Sequence, residues 1–270
     1  MSGPSDHAPG KGLRLTGRGA VITGGGRGIG RAVARALADA GARVVVCARS
    51  TNDIEGVASE LRDAGHQAHA VSCDVGDPES IRAMAGAALE RLGAVDILVN
   101  NAGIALSNPV KRLPLEEWNR ILAVNATGTF LCTQAFLPGM QERGWGRIVN
   151  VASIAGLRGA RYIAAYTASK HAQVGFTRAL AHEVADQGIT VNAICPGYVD
   201  TPMTEYSVAR IVEKTGVSKE EALGHILALS PQKRLIRPEE VAHVALMLCG
   251  EDGEGINGQA IAIDGGQGLG

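Results

Sequence analysis

Short runs of β-favouring apolar residues alternate along this chain with segments of helical period, and that alternation leaves few folds open. Ala20-Val21-Ile22-Thr23 is the first such run. It breaks into glycines, after which Ile29, Val33, Leu37 and Ala40 recur at helical spacing until Gly41 stops the pattern. Val44-Val45-Val46-Cys47 follows with no polar interruption, as a strand covered on both faces requires. A helix is expected near Asp53 to Ala64, ending at Gly65, then a strand from Ala68 to Cys73. The next helix opens at Asp77-Pro78, where aspartate caps and proline takes the first helical position. Further strands are expected at Asp96 to Val99, Arg147 to Ala152, Thr190 to Ile194 and Gln259 to Ile263, separated by helices at 115–140, 163–187 and 238–249. Seven strands with interleaved helices predict an α/β fold with a doubly wound parallel sheet and helices on both faces.

No fixed-period repeat or low-complexity linker divides the pattern, and 270 residues fit one α/β unit. We therefore expect a flexible N-terminal leader at 1–16 and a single domain over 17–270. A longer insertion at 201–237, with helical patterns near 203–215 and 218–229, is long enough to form a lid. Lys and Arg number 26 against 27 Asp and Glu, with no basic stripe, so neither nucleic acid nor an anionic membrane is expected as a partner. The five cysteines include no C-x-x-C pair and the seven histidines no H-E-x-x-H, which argues against a disulfide framework or a metal site. Residues 1–12 contain no signal-peptide stretch and the chain no eighteen consecutive apolar residues, so a cytoplasmic protein with reduced thiols is the expectation.

Thr23-Gly24-Gly25-Gly26-Arg27-Gly28-Ile29-Gly30 lies between the first strand and the first helix. In that place, glycines let a dinucleotide pyrophosphate approach backbone N–H groups at the positive end of the helix dipole, the arrangement of a Rossmann-type fold. The spacing T-G-x-x-x-G-x-G differs from G-x-G-x-x-G, and a tight strand-to-helix corner calls for glycine in any case. The second strand ends in Cys47-Ala48-Arg49-Ser50, without the acid that would take a ribose 2′-hydroxyl. Arg49, with Arg27 in the turn, suits a 2′-phosphate and favours NADP(H) over NAD(H). The other reading makes both arginines solvated surface and gives the ribose to Asp53.

Tyr166-Thr167-Ala168-Ser169-Lys170 sets a phenol and an ammonium four residues apart, on one side of a helix. Ser153 closes a strand, Asn125 sits in Val124-Asn125-Ala126, and Asn100-Asn101-Ala102-Gly103 follows another strand. Taken together with the glycine turn, Asp74-Val75, and Pro196-Gly197 followed by Thr201, these residues closely resemble the compact, single-domain short-chain dehydrogenases/reductases, from about Gly17 to Gly266.

The resemblance implies that Asn125, Ser153, Tyr166 and Lys170 form a catalytic set. Tyr166 would give a proton to the carbonyl oxygen, on which charge grows as carbon accepts hydride, while Lys170 and the oxidised nicotinamide lower the phenol from its usual value near ~10. Ser153 would polarise the carbonyl, Lys170 would also bond the nicotinamide ribose, and Asn125 would order a water on the proton path. Without that pattern Ser153 reads as a turn cap and Asn125 as a buried amide satisfying backbone groups. The resemblance further implies cofactor contacts from Gly24, Gly26, Arg27, Gly28, Ile29, Gly30, Arg49, Ala102, Gly103, Tyr166, Lys170, Pro196 and Gly197. It puts Asp74 and Val75 against the adenine, Asn101 near its ribose, and Val199 and Thr201 at the carboxamide. Asp74 read alone is a turn residue and Thr201 a cap before Pro202.

The substrate walls are expected at Ile104 to Pro109, Ile154 to Tyr162 and the insertion. The lid and the second-strand ending look like those of 3-oxoacyl-thioester and polyketide ketoreductases, implying reduction of a β-keto thioester borne on acyl carrier protein or CoA. The chain departs from aromatic-polyketide ketoreductases in having Ile104-Ala105-Leu106 where they have proline-glycine-glycine. Arg158, Arg161, Arg210, Lys214, Lys233 and Arg234 are candidate contacts for a phosphopantetheine or carrier, or simply solvated helix surface. The competing readings are an NAD-dependent secondary-alcohol or hydroxyacid dehydrogenase and a dinucleotide-sensing regulatory protein. The resemblance also implies a homotetramer.

Overall fold

The structure, a computed structural model, describes residues 14–269, so the expected leader lies almost wholly outside the described residues. Strands β1 (Gly19–Thr23), β2 (Arg43–Ala48), β3 (Ala68–Ser72), β4 (Ile97–Asn100), β5 (Gly146–Val151), β6 (Ile189–Pro196) and β7 (Ala260–Ile263) form one sheet in the order β3-β2-β1-β4-β5-β6-β7. Every pairing is parallel. Parallel neighbours need crossovers, and the helices that make them cover both faces. On one face Ile22, Val44, Val46 and Val99 pack with Val33 and Leu37 of α1 (Gly28–Asp39), Ile54 and Leu61 of α2 (Thr51–Asp63), and Val241 and Leu248 of α9 (Pro238–Cys249). On the other, Val21, Val45, Leu98 and Ile148 meet Ile81 and Met84 of α3 (Pro78–Leu92), and Leu180 of α6 (Ala164–Glu183). The alternation of Val21 with Ile22 and of Val45 with Val46 between the two clusters is the period of two that a strand imposes. Asp77 caps α3 by accepting from the Glu79 N–H at 3.0 Å, with Pro78 behind it as the sequence foretold.

The helix expected at 115–140 is instead three pieces: α4 (Leu115–Leu122), a π-helical turn (Ala123–Thr127) and α5 (Gly128–Arg143). The turn widens where Asn125 is drawn sideways to Ile104 and its own carbonyl accepts from Thr129 Oγ1 at 2.8 Å. The whole stretch Leu115–Arg143 has the length and mean hydropathy to cross a membrane. Its apolar side chains Cys132, Phe136 and Met140 are buried against the sheet. All five cysteines are buried and unbridged.

The insertion forms α7 (Pro202–Thr215) and α8 (Lys219–Leu227), close to the expected spans. They close on their own small core of Val208, Ala222 and Ile226. A parallel bridge joins Val199 to Ile236, with Asp200 N–H donating to Ile236 O at 2.8 Å and Ile236 N–H to Tyr198 O at 2.9 Å. Both ends of the excursion are thereby pinned together beside β6.

Candidate active site

The strand order reverses between β1 and β4, so the loops at their carboxyl ends part and leave a crevice. The glycine turn and Asn100-Asn101-Ala102-Gly103 flank it. Thr23 Oγ1 accepts from the N–H groups of Asn101 and Ala102, both at 3.0 Å, and the Asn101 amide donates to Thr23 O at 2.9 Å and Gly24 O at 3.1 Å. These bonds fix the two loops against one another. Gly24 has φ +65°, and a methyl on Gly30 would lie 2.2 Å from Gly24 O, so the turn closes only with glycine there. Gly25 N–H donates to Cys47 O at 3.2 Å, which binds the turn to the end of β2 and to Arg49 beyond it. This cradle fits a dinucleotide pyrophosphate: it is a strand-to-helix glycine turn with α1 beginning at Gly28.

On the β4–β5–β6 side, α6 carries Tyr166 and Lys170 toward Ser153 at the end of β5. Tyr166 and Ser153 are hydrogen-bonded. Ser153 Oγ also accepts from Ala155 N–H at 3.1 Å, so the turn-cap reading is visible beside the catalytic one. Lys170 is only 3% exposed; its Nζ donates to Val151 O at 2.8 Å and Gln173 Oε1 at 2.7 Å. Those bonds use two of three N–H donors and leave one. A methyl on Gly103 would lie 3.3 Å from Asn125 Oδ1 and 3.6 Å from Lys170 Nζ, so the loop after β4, the π turn and α6 meet at one point.

Residues 18–211 match the family described as short chain dehydrogenase. The chain is 40% identical over 252 residues to a D-beta-hydroxybutyrate dehydrogenase of Rhizobium meliloti, covering 92% of this chain and 97% of that one. It is 38% identical over 255 residues to a 3-oxoacyl-[acyl-carrier-protein] reductase of Aquifex aeolicus, covering 94% and 98%. Among solved structures, a point variant of the actinorhodin polyketide ketoreductase with NADPH superposes with a TM-score of 0.90 at 43% identity, covering 93% of this chain and 97% of its own. The chain belongs to the short-chain dehydrogenase/reductase family. It is thus an NAD(P)-dependent oxidoreductase with a Rossmann-type sheet.

Within this dehydrogenase several of the expected residues also hold the fold around the site. In the ligand-free fold, burial pushes the phenol of Tyr166 up to about 12, and the hydrogen bond with Ser153 works partly against that. Lys170 Nζ lies 5.7 Å from the Tyr166 ring centroid and is brought down to about 7 by burial. Asn125 is fully buried and its amide wholly engaged: Oδ1 accepts from Ile104 N–H at 2.9 Å, while Nδ2 donates to Ile104 O at 2.9 Å and Ser169 Oγ at 3.0 Å. The reading of a buried amide satisfying backbone groups describes what it does, and holding Ile104 places the loop after β4. Asn101 acts as a strut of the glycine turn. Asp74 Oδ1 accepts from Gly76 N–H at 2.9 Å, the turn reading, with Val75 buried beside it.

Thr201 precedes α7 without capping it; its hydroxyl donates to Val199 O at 3.3 Å, and its methyl would touch a methyl placed on Gly28 at 3.0 Å. Pro196, Gly197 and Val199 thus lead from the end of β6 to the glycine turn. Arg27 and Arg49 are exposed and form no ion pair among the described residues. Two of the expected substrate walls are joined, since Asn108 N–H donates to Tyr162 O at 2.7 Å, and Tyr162 takes φ 70° to allow it.

Sequence reasoning missed a buried polar ladder behind the site. Asn125, Thr129 and Thr133 recur every four residues on one helix, and Ser169, Gln173 and Thr177 do so on the next. Thr129, Thr133, Gln173, Thr177, Asn100 and Asn150 are all buried and bonded to one another or to neighbouring carbonyls. The shared four-residue spacing of small polar residues and amides on both segments was the available signal.

Proposed function

We propose that this dehydrogenase uses NADPH to reduce a 3-oxoacyl thioester to its 3-hydroxyacyl form, with residues 17–270 acting as one catalytic unit and α7–α8 as its lid. The observation that carries the reading is the meeting of the Tyr166 and Ser153 hydroxyls over the buried Lys170, beside the glycine cradle. NADPH, when bound, supplies the hydride that the carbonyl carbon accepts. Tyr166 keeps its proton across the physiological range and gives it to the oxygen, while Ser153 Oγ donates to that oxygen and holds it in place. The remaining N–H of Lys170 is available to a ribose hydroxyl. Arg27 and Arg49, unpaired at the mouth of the cradle, suit a 2′-phosphate.

The substrate class follows the relative named 3-oxoacyl-[acyl-carrier-protein] reductase. Much of the lid's positive charge is already paired, Arg210 and Lys214 with Glu213 at 2.9 Å each and Arg234 with Glu240 at 2.7 Å. We therefore assign recognition to the acyl chain and thioester. A cytoplasmic homotetramer belongs to the same reading; Phe130 of α5, exposed and edge-on to Phe176 of α6 at 6.1 Å, offers an apolar contact for a second copy, and light scattering tests it.

Initial rates with NADPH and NADH across β-keto thioesters, simple ketones and secondary alcohols test the proposal. The expected result is NADPH-dependent thioester reduction that Tyr166→Phe abolishes in folded protein; turnover that survives Tyr166→Phe would remove the proton-transfer chemistry. The relative named D-beta-hydroxybutyrate dehydrogenase favours a second reading, oxidation of a hydroxyacid with NAD. A clear NADH preference and faster alcohol oxidation would select it.

A further inference from the structure

We infer that Gln173 is a positioning residue for Lys170: its side-chain carbonyl, aimed by Thr129, holds the ammonium beneath Tyr166 and governs how readily Lys170 keeps its proton. The inference rests on the reading of Tyr166 and Lys170 as the proton-transfer pair.

Gln173 is 1% exposed, on the face of α6 turned toward the sheet, where an apolar side chain would be the cheaper choice. Its amide has a defined orientation. Nε2 donates to Thr129 Oγ1 at 2.7 Å, and the Thr129 hydroxyl hydrogen is already committed to Asn125 O at 2.8 Å, so Thr129 can only accept from Gln173. Oε1 must then face the other way, toward Lys170 Nζ at 2.7 Å. Thr177 Oγ1 holds the Gln173 carbonyl from the next turn at 2.8 Å, and Asn150 Nδ2 holds Thr177 at 2.9 Å. The side chain is therefore held by Thr129 of α5, while Thr177, itself held by Asn150 of β5, fixes the backbone carbonyl of Gln173.

Lys170 has two protein acceptors, Val151 O and Gln173 Oε1. The titratable groups facing it are Cys195 of β6 and Tyr166 of its own helix; β5 presents the Val151 carbonyl, and the π turn and the loop after β4 present the uncharged Asn125 and Gly103. With no carboxylate among these neighbours, the neutral Gln173 carbonyl is the one side-chain acceptor among the described residues that bonds the buried cation, and burial already brings Lys170 to about 7. A hydrogen bond to a charged group is strong enough to move that titration by about one unit or more, about tenfold in the protonated population at a given pH.

The test is ¹³Cε NMR titration of Lys170 in the full-length protein, the resonance assigned by its loss in Lys170→Met, together with the pH profile of kcat. Gln173→Met is expected to move the titration down by about one unit or more, and with it the limb on which rate is lost as Lys170 deprotonates. Gln173→Glu, which places a carboxylate at the same distance, is expected to move both upward. Opposite displacement by the two variants supports the inference; should Gln173→Met fail to fold, the upward shift in Gln173→Glu decides alone. A Lys170 titration unmoved in a folded variant would overturn it and leave Gln173 a packing residue. A wild-type protein that reduced no carbonyl would instead remove the proposed function, while the NMR titration would still decide the role of Gln173.

Discussion

Burial of Lys170 should make the ligand-free protein gain stability over its Lys170→Met variant as the solution is made mildly alkaline, against the usual trend for a basic residue. In the unfolded chain the lysine holds its proton to about 10.4, whereas in the folded protein it releases it near 7. Between those values the unfolded state binds the extra proton, so raising the pH favours the fold, by at most about 1.4 kcal/mol per unit. Other groups bound the window. His69, lowered by burial, gives its own rise around and just below its ordinary value and is complete above it. Cys132 and Cys249, pushed up to about 12, Cys195, pushed up to about 11, and Cys47 and Cys73, also raised by burial, hold their protons in the fold to higher pH than in the unfolded chain, where ionisation is half complete at about 8.5, so they draw stability down as the pH rises through that range. From pH 7 to 8.5 the lysine should contribute about 2 kcal/mol toward the fold, while the five cysteines, beginning to ionise in the unfolded chain, together oppose it by about 1–2 kcal/mol. Urea unfolding at half-unit steps from pH 6.5 to 8.5, with m constant, in wild type and Lys170→Met separates the two, because the cysteines are common to both proteins and the difference between them should grow by about 2 kcal/mol. A difference that stays constant across that range would show that the ammonium is not desolvated as the structure has it.

Three further outcomes follow from the packing. Gly30→Ala sets a methyl 2.2 Å from Gly24 O and 2.5 Å from Asn101 Nδ2, both parts of the braced turn, so it should abolish NADPH binding and cost about 1–3 kcal/mol; fluorescence titration and thermal unfolding read the two effects. Asn125→Ala strips partners from the Ile104 N–H and C=O and from Ser169 Oγ in a fully buried place; about 2–5 kcal/mol should be lost in urea unfolding, and unchanged stability would refute the clamp on Ile104. Arg27→Ala and Arg49→Ala should each raise the KM for NADPH about tenfold or more and leave that for NADH in place, which steady-state kinetics with both cofactors will show.

Fold class was legible because β2 and its neighbours need apolar residues on both faces, and such runs have no other use in a chain that alternates them with helical periods. Their boundaries moved by a residue or two, as with β4, which takes in Asn100 but not Asp96. Asp96 is buried for a different reason: it accepts from the Gly19 N–H at 2.9 Å and pairs with Arg143 at 3.3 Å. The phenol and ammonium of α6 were legible as a pair because four residues is a helical repeat. Their protonation was not, since the sign of each shift depends on burial and on which acceptors the folded chain places around the ammonium.

The polar ladder shows why spacing alone falls short. Asn125-Thr129-Thr133 and Ser169-Gln173-Thr177 would each look, on an isolated helix, like a solvated stripe. They are instead buried, with Gln173 reaching Thr129 across the gap, and Asn100 and Asn150 closing the ladder from the ends of β4 and β5. Hydrophobic residues of similar volume would fill the same space without needing partners, so packing by itself does not ask for amides and hydroxyls here. What does ask for them is the ammonium of Lys170, which must be held away from water with acceptors in fixed positions. The ladder can then be understood outward from that one charge: Gln173 faces the lysine, Thr129 orients Gln173, and Asn125, whose carbonyl orients Thr129, also places the loop that meets the lysine at Gly103. In this arrangement the widened π turn is the geometric condition for Asn125 to serve the loop and the ladder at once.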